Sequence, residues 1–278
     1  MKSVKLQNTV FLAIVYAFLL AGAISMAIPY VWMFVTSIKP IEEVQSYPPS
    51  FLVKHPTALP YQDLFSLIPM LRYIWNSIFV AGSVTIANVF FCSLAGYAFA
   101  KHRFWGRDKI FFVLLGSLMI PWQVNLISGF MLMKKLGWLN SYNALIIPVM
   151  AGVFGVFLCR QFIMSIPDDL IDAAKIDGCG EFTIYRLVII PLIRPALVTL
   201  AILTVLQQWN NFIWPLIVIS SSSMRTLPLA LSVLNGQFGT RFAMVMAGAV
   251  VATTPMLIVF LAFQKYFIKG IAMTGLKG

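Results

Sequence analysis

Four carboxylates, Asp168, Asp169, Asp172 and Asp177, crowd around a single Lys175 in ten residues of chain, and the small pair Ala173-Ala174 sits among them. Acids can pair with an Arg or Lys offered by another surface, and small side chains let a second backbone approach closely. That chemistry serves docking and breaks no bond. A helix lying on lipid headgroups would carry Lys or Arg on its polar face, whereas this stretch is acidic. Elsewhere there is no Gly-rich phosphate loop, no His/Cys/carboxylate group at metal-ligand spacing and no nucleophile beside a base. The reading is a chain without catalytic residues, cofactor or metal of its own, whose work must draw free energy from a partner.

A second polar class lies inside apolar sequence: Gln123 and Asn125, then Trp209, Asn210, Asn211 and Trp214. Amides hydrogen-bond hydroxyl groups and indole faces stack on sugar rings, which makes these six the candidates for contact with a neutral polyhydroxylated solute. Gln123, Asn210 and Asn211 stand near the helix-breaking Pro121 and Pro215. The alternative at each position is a hydrogen bond tying neighbouring helices together, worth about 0.6 kcal/mol.

The elements that must carry these residues are set by composition. Hydrophobic residues make up 60% of the 278, charged residues 10%, and mean hydropathy is +0.89, far from the roughly 25% charged residues of soluble chains. Six charge-free runs exceed the ~20 residues a helix needs to cross hydrocarbon. They predict an all-α integral membrane protein, one transmembrane domain over 1–278, with spans at about 10–37, 73–99, 110–132, 142–163, 196–219 and 242–264. The 15 charge-free residues from Thr226 to Thr240 hold Pro228, Gly236 and Gly239 and are expected to form a loop with a short re-entrant or interfacial piece. Lys2 and Lys5 before an apolar run imitate a cleavable signal, but the run continues to Ile38, too long for a signal core.

Because the runs contain no ionisable residue, ion-coupled transport and haem binding are not expected. An inside amino terminus places 13 Lys and Arg in the cytoplasm against 7 outside, so both termini and the polar island 165–195 are expected there. The net charge of +11 is spread over span ends, where it meets anionic headgroups, which excludes a nucleic-acid partner in favour of the bilayer. Cys92, Cys159 and Cys179 share no plausible disulfide or metal spacing.

Within the island, Ser165-Ile166-Pro167-Asp168-Asp169 reads as a helix start, with a cap, an early Pro and acids at the positive end of the dipole. The expected helix runs from about Pro167 to Ile176 and turns at Gly178. A second runs from Glu181 to about Ile189 and ends before Pro191. The outer loop 38–72, with six prolines, is too Pro-rich for a helix and is expected to serve as a receiving surface.

At these residues the chain resembles a family. Asp172-Ala173-Ala174-Lys175-Ile176-Asp177-Gly178, followed nine residues later by Val188-Ile189-Ile190-Pro191, is similar to the EAA loop of permease subunits of bacterial ATP-binding-cassette importers: Glu-Ala-Ala, three residues, Gly, nine residues, Ile, any residue, Leu-Pro. Asp172, Val188 and Ile190 depart conservatively. Trp209-Asn210-Asn211-Phe212-Ile213-Trp214-Pro215-Leu216, Arg160-Gln161-Phe162, Tyr47-Pro48-Pro49 and the closing Lys269-Gly270 with Gly275 to Gly278 resemble the second permease of maltose-transporter-like carbohydrate systems.

The resemblance implies a multi-pass permease domain in a bacterial cytoplasmic membrane, and a second homologous permease beside it. It also implies two cytoplasmic subunits that bind ATP and Mg, and an extracytoplasmic solute-binding protein that presents carbohydrate. The island would be the coupling helix seated in the ATPase, with Asp172, Ala173, Ala174, Asp177 and Gly178 as contact and turn, and Pro191 ending the elbow. A glycerol-phosphate-type solute is the alternative within transport, and a non-transport membrane scaffold the alternative outside it.

Overall fold

The computed structural model describes residues 2–239 and 241–275, and their side chains over 11–239 and 241–264. The side chains of Lys2, Lys5, Lys265 and Lys269, residue Lys277 and the closing Leu276 to Gly278, on which the termini's placement and the last motif rest, lie outside the described residues. Among the described residues every regular element is helical. The helices are α1 (Lys2–Ser37), α2 (Ile41–Val44), α3 (Leu59–Leu67), α4 (Met70–Lys101), α5 (Arg107–Ser117), α6 (Leu126–Lys135), α7 (Tyr142–Ile146), α8 (Val153–Met164) and α9 (Asp168–Ile176). They continue as α10 (Glu181–Leu192), α11 (Arg194–Trp209), α12 (Ile213–Val218), α13 (Leu227–Phe238) and α14 (Phe242–Gly275).

Four segments are long and apolar enough to cross a bilayer: Phe11–Ser37, Met70–Lys101, Tyr142–Met164 and Phe242–Gln264. The count reaches six if each of two bent pairs is one span. The third run, expected as one helix over 110–132, is broken. α5 and the segment Trp122–Lys135 meet at 92°, because Pro121 has no N–H to donate and disfavours helix at Ile120. The fifth, expected over 196–219, is also divided. α11 has 16 residues, about 24 Å of rise, and stops at Trp209 before α12 begins at Ile213.

Two further expectations are corrected. Thr226 to Thr240 is mostly helix, since α13 runs for 12 residues from Leu227; Pro228 stands in its first turn, where no backbone donor is needed. The outer loop is not without helix. α3 has nine residues and again carries its proline, Pro60, at the start, while the Glu43 carboxylate gathers the loop by accepting the N–H groups of Lys54 at 3.1 Å and His55 at 2.8 Å.

Contacts gather the chain into two units, Met1–Pro69 with Leu231–Thr254 and Met70–Ala230 with Pro255–Gly278. In the first, a Cβ on Gly248 of α14 would lie 2.9 Å from Leu231 Cδ2 and 3.0 Å from Leu234 Cδ2, so glycine there lets α13 close on α14. In the second, α4 is the central post, packed against α8 and α11. A Cβ on Gly96 would sit 2.7 Å from the Cβ of Cys159, and one on Gly155 would sit 2.7 Å from the Sγ of Cys92. Each helix thus offers a small residue four positions from a cysteine, and the backbones approach as small residues allow in a medium where hydrophobic driving force between helices is absent. All three cysteines are free thiols, and Cys92 and Cys159 are fully buried in this contact.

Candidate functional site

The polar island folds as an elbow whose two arms are α9 and α10. Ser165, expected to cap α9, instead closes α8: its Oγ donates to Phe162 O at 2.7 Å and its backbone is helical. Pro167 takes the position before α9 in extended conformation (φ −58°, ψ 138°), with Asp168 and Asp169 in the first turn, where carboxylates meet the positive helix end. Gly178 has φ +79°. Its N–H donates to Lys175 O at 3.0 Å, and the Cys179 N–H donates to Ala174 O at 2.9 Å, the paired bonds of a Schellman turn. The left-handed backbone at Gly178 is what reverses the chain.

α9 divides cleanly by face. Ile171 and Ala174 are buried against Ile166, Ile184 and Tyr185, while Asp172, Ala173, Asp177 and Gly178 are exposed. Ala174 therefore belongs to the chain's own core and is withdrawn from the predicted contact, because it lies three residues from buried Ile171 on the same face of the helix. Leu170 and Ile176 are 45% and 86% exposed on the same helix, and Phe182 on the next is 61% exposed. These exposed apolar residues were not among those singled out from the sequence. Their signal was present in the sequence as bulky apolar side chains on an otherwise charged island.

Pro191 does not end the second arm. Tyr185–Ile189 is a π turn, and helix continues through Ile190–Leu192; the widened turn, with Ile190 N–H bonded to Tyr185 O, makes room for a ring that would clash in a regular α-helix. The bend falls instead at Ile193 (φ −93°, ψ 11°), where α10 and α11 meet at 80°.

The elbow is bolted to the end of α4. Lys101 Nζ donates to Asp168 Oδ1 at 2.5 Å and to Ile166 O at 2.6 Å. The hydrogen bond from Lys101, then its charge, holds the Asp168 carboxyl below the usual carboxylate range. On the second arm, Glu181 accepts from Tyr97 Oη at 2.9 Å and lies 3.5 Å from His102 Nε2 and 3.8 Å from Lys175 Nζ. Tyr185 meets Ser93 of α4 at 2.7 Å. Both arms are thus held by one apolar post. Sequence reasoning had placed Lys101 only among the cations at span ends.

The six solute candidates part company. Trp214 is buried in a cluster with Val80, Val84, Met133 and Leu145; its Nε1 donates to Ala144 O at 2.8 Å and its ring rests on Gly129. It is a packing residue that joins α12 to α6. Trp209 is buried as well. Asn210 Nδ2 donates to Leu206 O at 2.8 Å and finishes α11, and Asn211 Nδ2 reaches Gln208 Oε1 at 3.5 Å. Gln123 and Asn125 are exposed on the 3-10 turn that follows Pro121, and no hydrogen bond joins them to Asn210 or Asn211. A polar tie in the span region that sequence reasoning did not single out is Asn76. It is fully buried, donates to Ser223 O and Arg225 O at 2.9 and 2.8 Å, and accepts from Tyr142 Oη at 2.7 Å.

Residues 88–273 match the family described as the inner membrane component of binding-protein-dependent transport systems. The chain is similar to the arabinooligosaccharides transport system permease protein AraQ of Halalkalibacterium halodurans, 40% identical over 210 residues and 75% of each chain. Similarity to the lactose transport system permease protein LacG of Rhizobium radiobacter is 32% identity over 257 residues, 92% of this chain and 93% of that protein. A chain in the crystal structure of a bacterial ABC transporter involved in the import of the acidic polysaccharide alginate superposes with a TM-score of 0.83 at 25% identity, covering 92% of this chain and 96% of that one. The elbow, the end of α4 that holds it and the broken spans fall inside the matched residues, and the chain belongs to the inner-membrane permease family of binding-protein-dependent transport systems.

Proposed function

We propose that this chain is the transmembrane permease subunit of an ATP-binding-cassette importer for a sugar or oligosaccharide, and that the α9–α10 elbow is the lever through which partner ATPases drive it. The partners are a second homologous permease, two ATP-binding subunits that hold ATP and Mg, and an extracytoplasmic solute-binding protein. In this reading both termini and the elbow lie on the cytoplasmic side of a bacterial cell membrane, as the positive-inside distribution favours.

The observation that carries the proposal is the elbow's construction. It presents Asp172, Ala173 and Ile176 outward while Lys101 and Tyr97 tie its two arms to a single span-length helix. A force applied to the exposed face then moves a packed body, which is what coupling through contiguous contacts requires. The carbohydrate assignment is supported by the substrates named for the sugar-permease relatives.

The test is to co-purify the complex and measure ATPase activity in lipid with and without binding protein and arabinooligosaccharide, for the parent and for Gly178→Pro. Proline cannot adopt φ +79° and removes the N–H bonded to Lys175. Sugar-dependent stimulation in the parent that disappears in the folded variant supports the lever. ATPase indifferent to both sugar and substitution returns the chain to the scaffold alternative.

A further inference from the structure

A cavity of about 800 Å³ opens at the loop end of α1, walled by α1, the outer loop with α2, α3 and the start of α14. Its size lies within the ~300–1,000 Å³ range of small-molecule sites. All of its lining belongs to the unit Met1–Pro69 with Leu231–Thr254, and none of it to the elbow. One group in the wall is left unsatisfied. Thr85, Thr199, Thr204, Thr253 and Thr254 each donate Oγ1 to the carbonyl four residues back, the usual local partner of a helical hydroxyl. Thr36 does not. It lines the cavity, is 3% exposed, and its Oγ1 has no hydrogen-bond partner among the described residues, although the adjacent Ser37 Oγ bonds both Phe34 O and Tyr61 Oη. A buried hydroxyl left unpaired is costly, and a ligand hydroxyl would relieve it.

The second inner group is Lys39, also buried. Its Nζ donates to Ser50 O, stands 5.4 Å from the centre of the Trp32 ring, and makes no ion pair among the described residues. An ammonium has three donors, so Lys39 keeps capacity for a ligand oxygen. The charges do not call for an anion. Lys39 and Arg241 share the wall with Glu42, Glu43 and Asp63; Arg241 Nη1 lies 3.3 Å from Asp63 Oδ2, Glu43 accepts the Lys54 and His55 amides, and exposed Glu42 makes no ion pair among the described residues. The wall therefore has no positive excess, and a ligand must bring acceptors to Lys39 and Thr36 and a donor to Glu42. An alcohol hydroxyl does both. Ile41, Leu59 and Phe242 add apolar wall, against which the C–H face of a sugar ring can rest.

We propose that this cavity is a binding subsite for a neutral sugar, with the Thr36 hydroxyl and the Lys39 ammonium donating to its oxygens and Glu42 accepting from a hydroxyl at the rim. The choice of sugar rests on the importer reading above. In that reading the loop end of α1 faces outward, so the subsite holds solute at the mouth of the permease, apart from the spans.

The experiment uses the assembled transporter in lipid nanodiscs without solute-binding protein and reads saturation-transfer NMR from protein to arabinotriose, for the parent, Thr36→Val and Glu42→Ala. Valine keeps the shape and removes a hydroxyl that bonds nothing within the chain, so the thermal midpoint is expected to hold while the half-saturating arabinotriose concentration rises about fivefold. Glu42→Ala, at an exposed position, is expected to weaken binding in the same direction. No transfer to arabinotriose in the parent overturns the proposal, as does half-saturation unchanged in Thr36→Val, a midpoint that falls together with binding in that variant, or a trigalacturonate bound as tightly as arabinotriose. Solute-stimulated ATPase with binding protein, measured on the same preparations, separates the two readings. Stimulation without Thr36-dependent binding sinks the subsite alone, whereas Thr36-dependent binding without stimulation supports the subsite and sinks the importer reading.

Discussion

Gly178 and Asp168 show how single residues set the elbow's shape. At φ +79° with open space around its Cα, Gly178 can be replaced by alanine without collision, so the cost is backbone strain alone, about 1 kcal/mol. Gly178→Ala is expected to speed hydrogen exchange of the Cys179 amide, the donor to Ala174 O, by roughly fivefold; an unchanged rate would mean the turn is not held by that backbone. Asp168 has a folded-state pKa lowered by the Lys101 hydrogen bond and charge. A depressed carboxyl contributes stability above its unfolded pKa and loses it as pH falls through the folded one. Asp168→Asn should therefore lower the thermal midpoint at neutral pH, and the difference from the parent should shrink as pH is taken down through the carboxylate range.

Among the helices, α4 carries a sharp internal contrast. A Cβ on Gly96 would meet Cys159 Cβ at 2.7 Å and Arg160 N at 2.9 Å, whereas Gly82 on the same helix has nothing within 4 Å. Gly96→Ala forces α4 from α8 and is expected to cost about 1–3 kcal/mol. Gly82→Ala should be neutral or stabilising by up to about 1 kcal/mol, and denaturation of the purified subunit in detergent would rank the two. That contrast was invisible in the sequence, where both glycines sit in the same apolar run. The six runs themselves and the start and turn of α9 were legible, because hydropathy and the Pro, Asp and Gly signals are local. What was not legible depended on partners: the π turn that absorbs Pro191, the burial of Ala174 beside exposed Ala173, and the withdrawal of Trp214 into a packed cluster. Among the polar amides, Asn210 and Asn211 bond within their own turn, and Asn140 Oδ1 accepts the Ser220 and Ser221 amides at 3.2 and 2.9 Å. Nothing in the amide's own chemistry separates a tie between helices from a contact with solute.

At the scale of the whole molecule, one long apolar post bears both arms of an acidic, apolar-tipped elbow, and the family's dependence on a binding protein supplies the other end of the transport cycle. If the elbow is the lever, its most exposed apolar residue should matter more for work than for folding. Ile176 is 86% exposed, so Ile176→Asp removes little internal packing while placing a charge where a partner would bury it. The decisive measurement is solute uptake and solute-stimulated ATPase recorded together in proteoliposomes of the assembled transporter, parent against Ile176→Asp. The account predicts that uptake and stimulation fall together by at least about tenfold, the effect of about 1.4 kcal/mol, with the permease's thermal midpoint unchanged. Full uptake with full stimulation in that variant would contradict it.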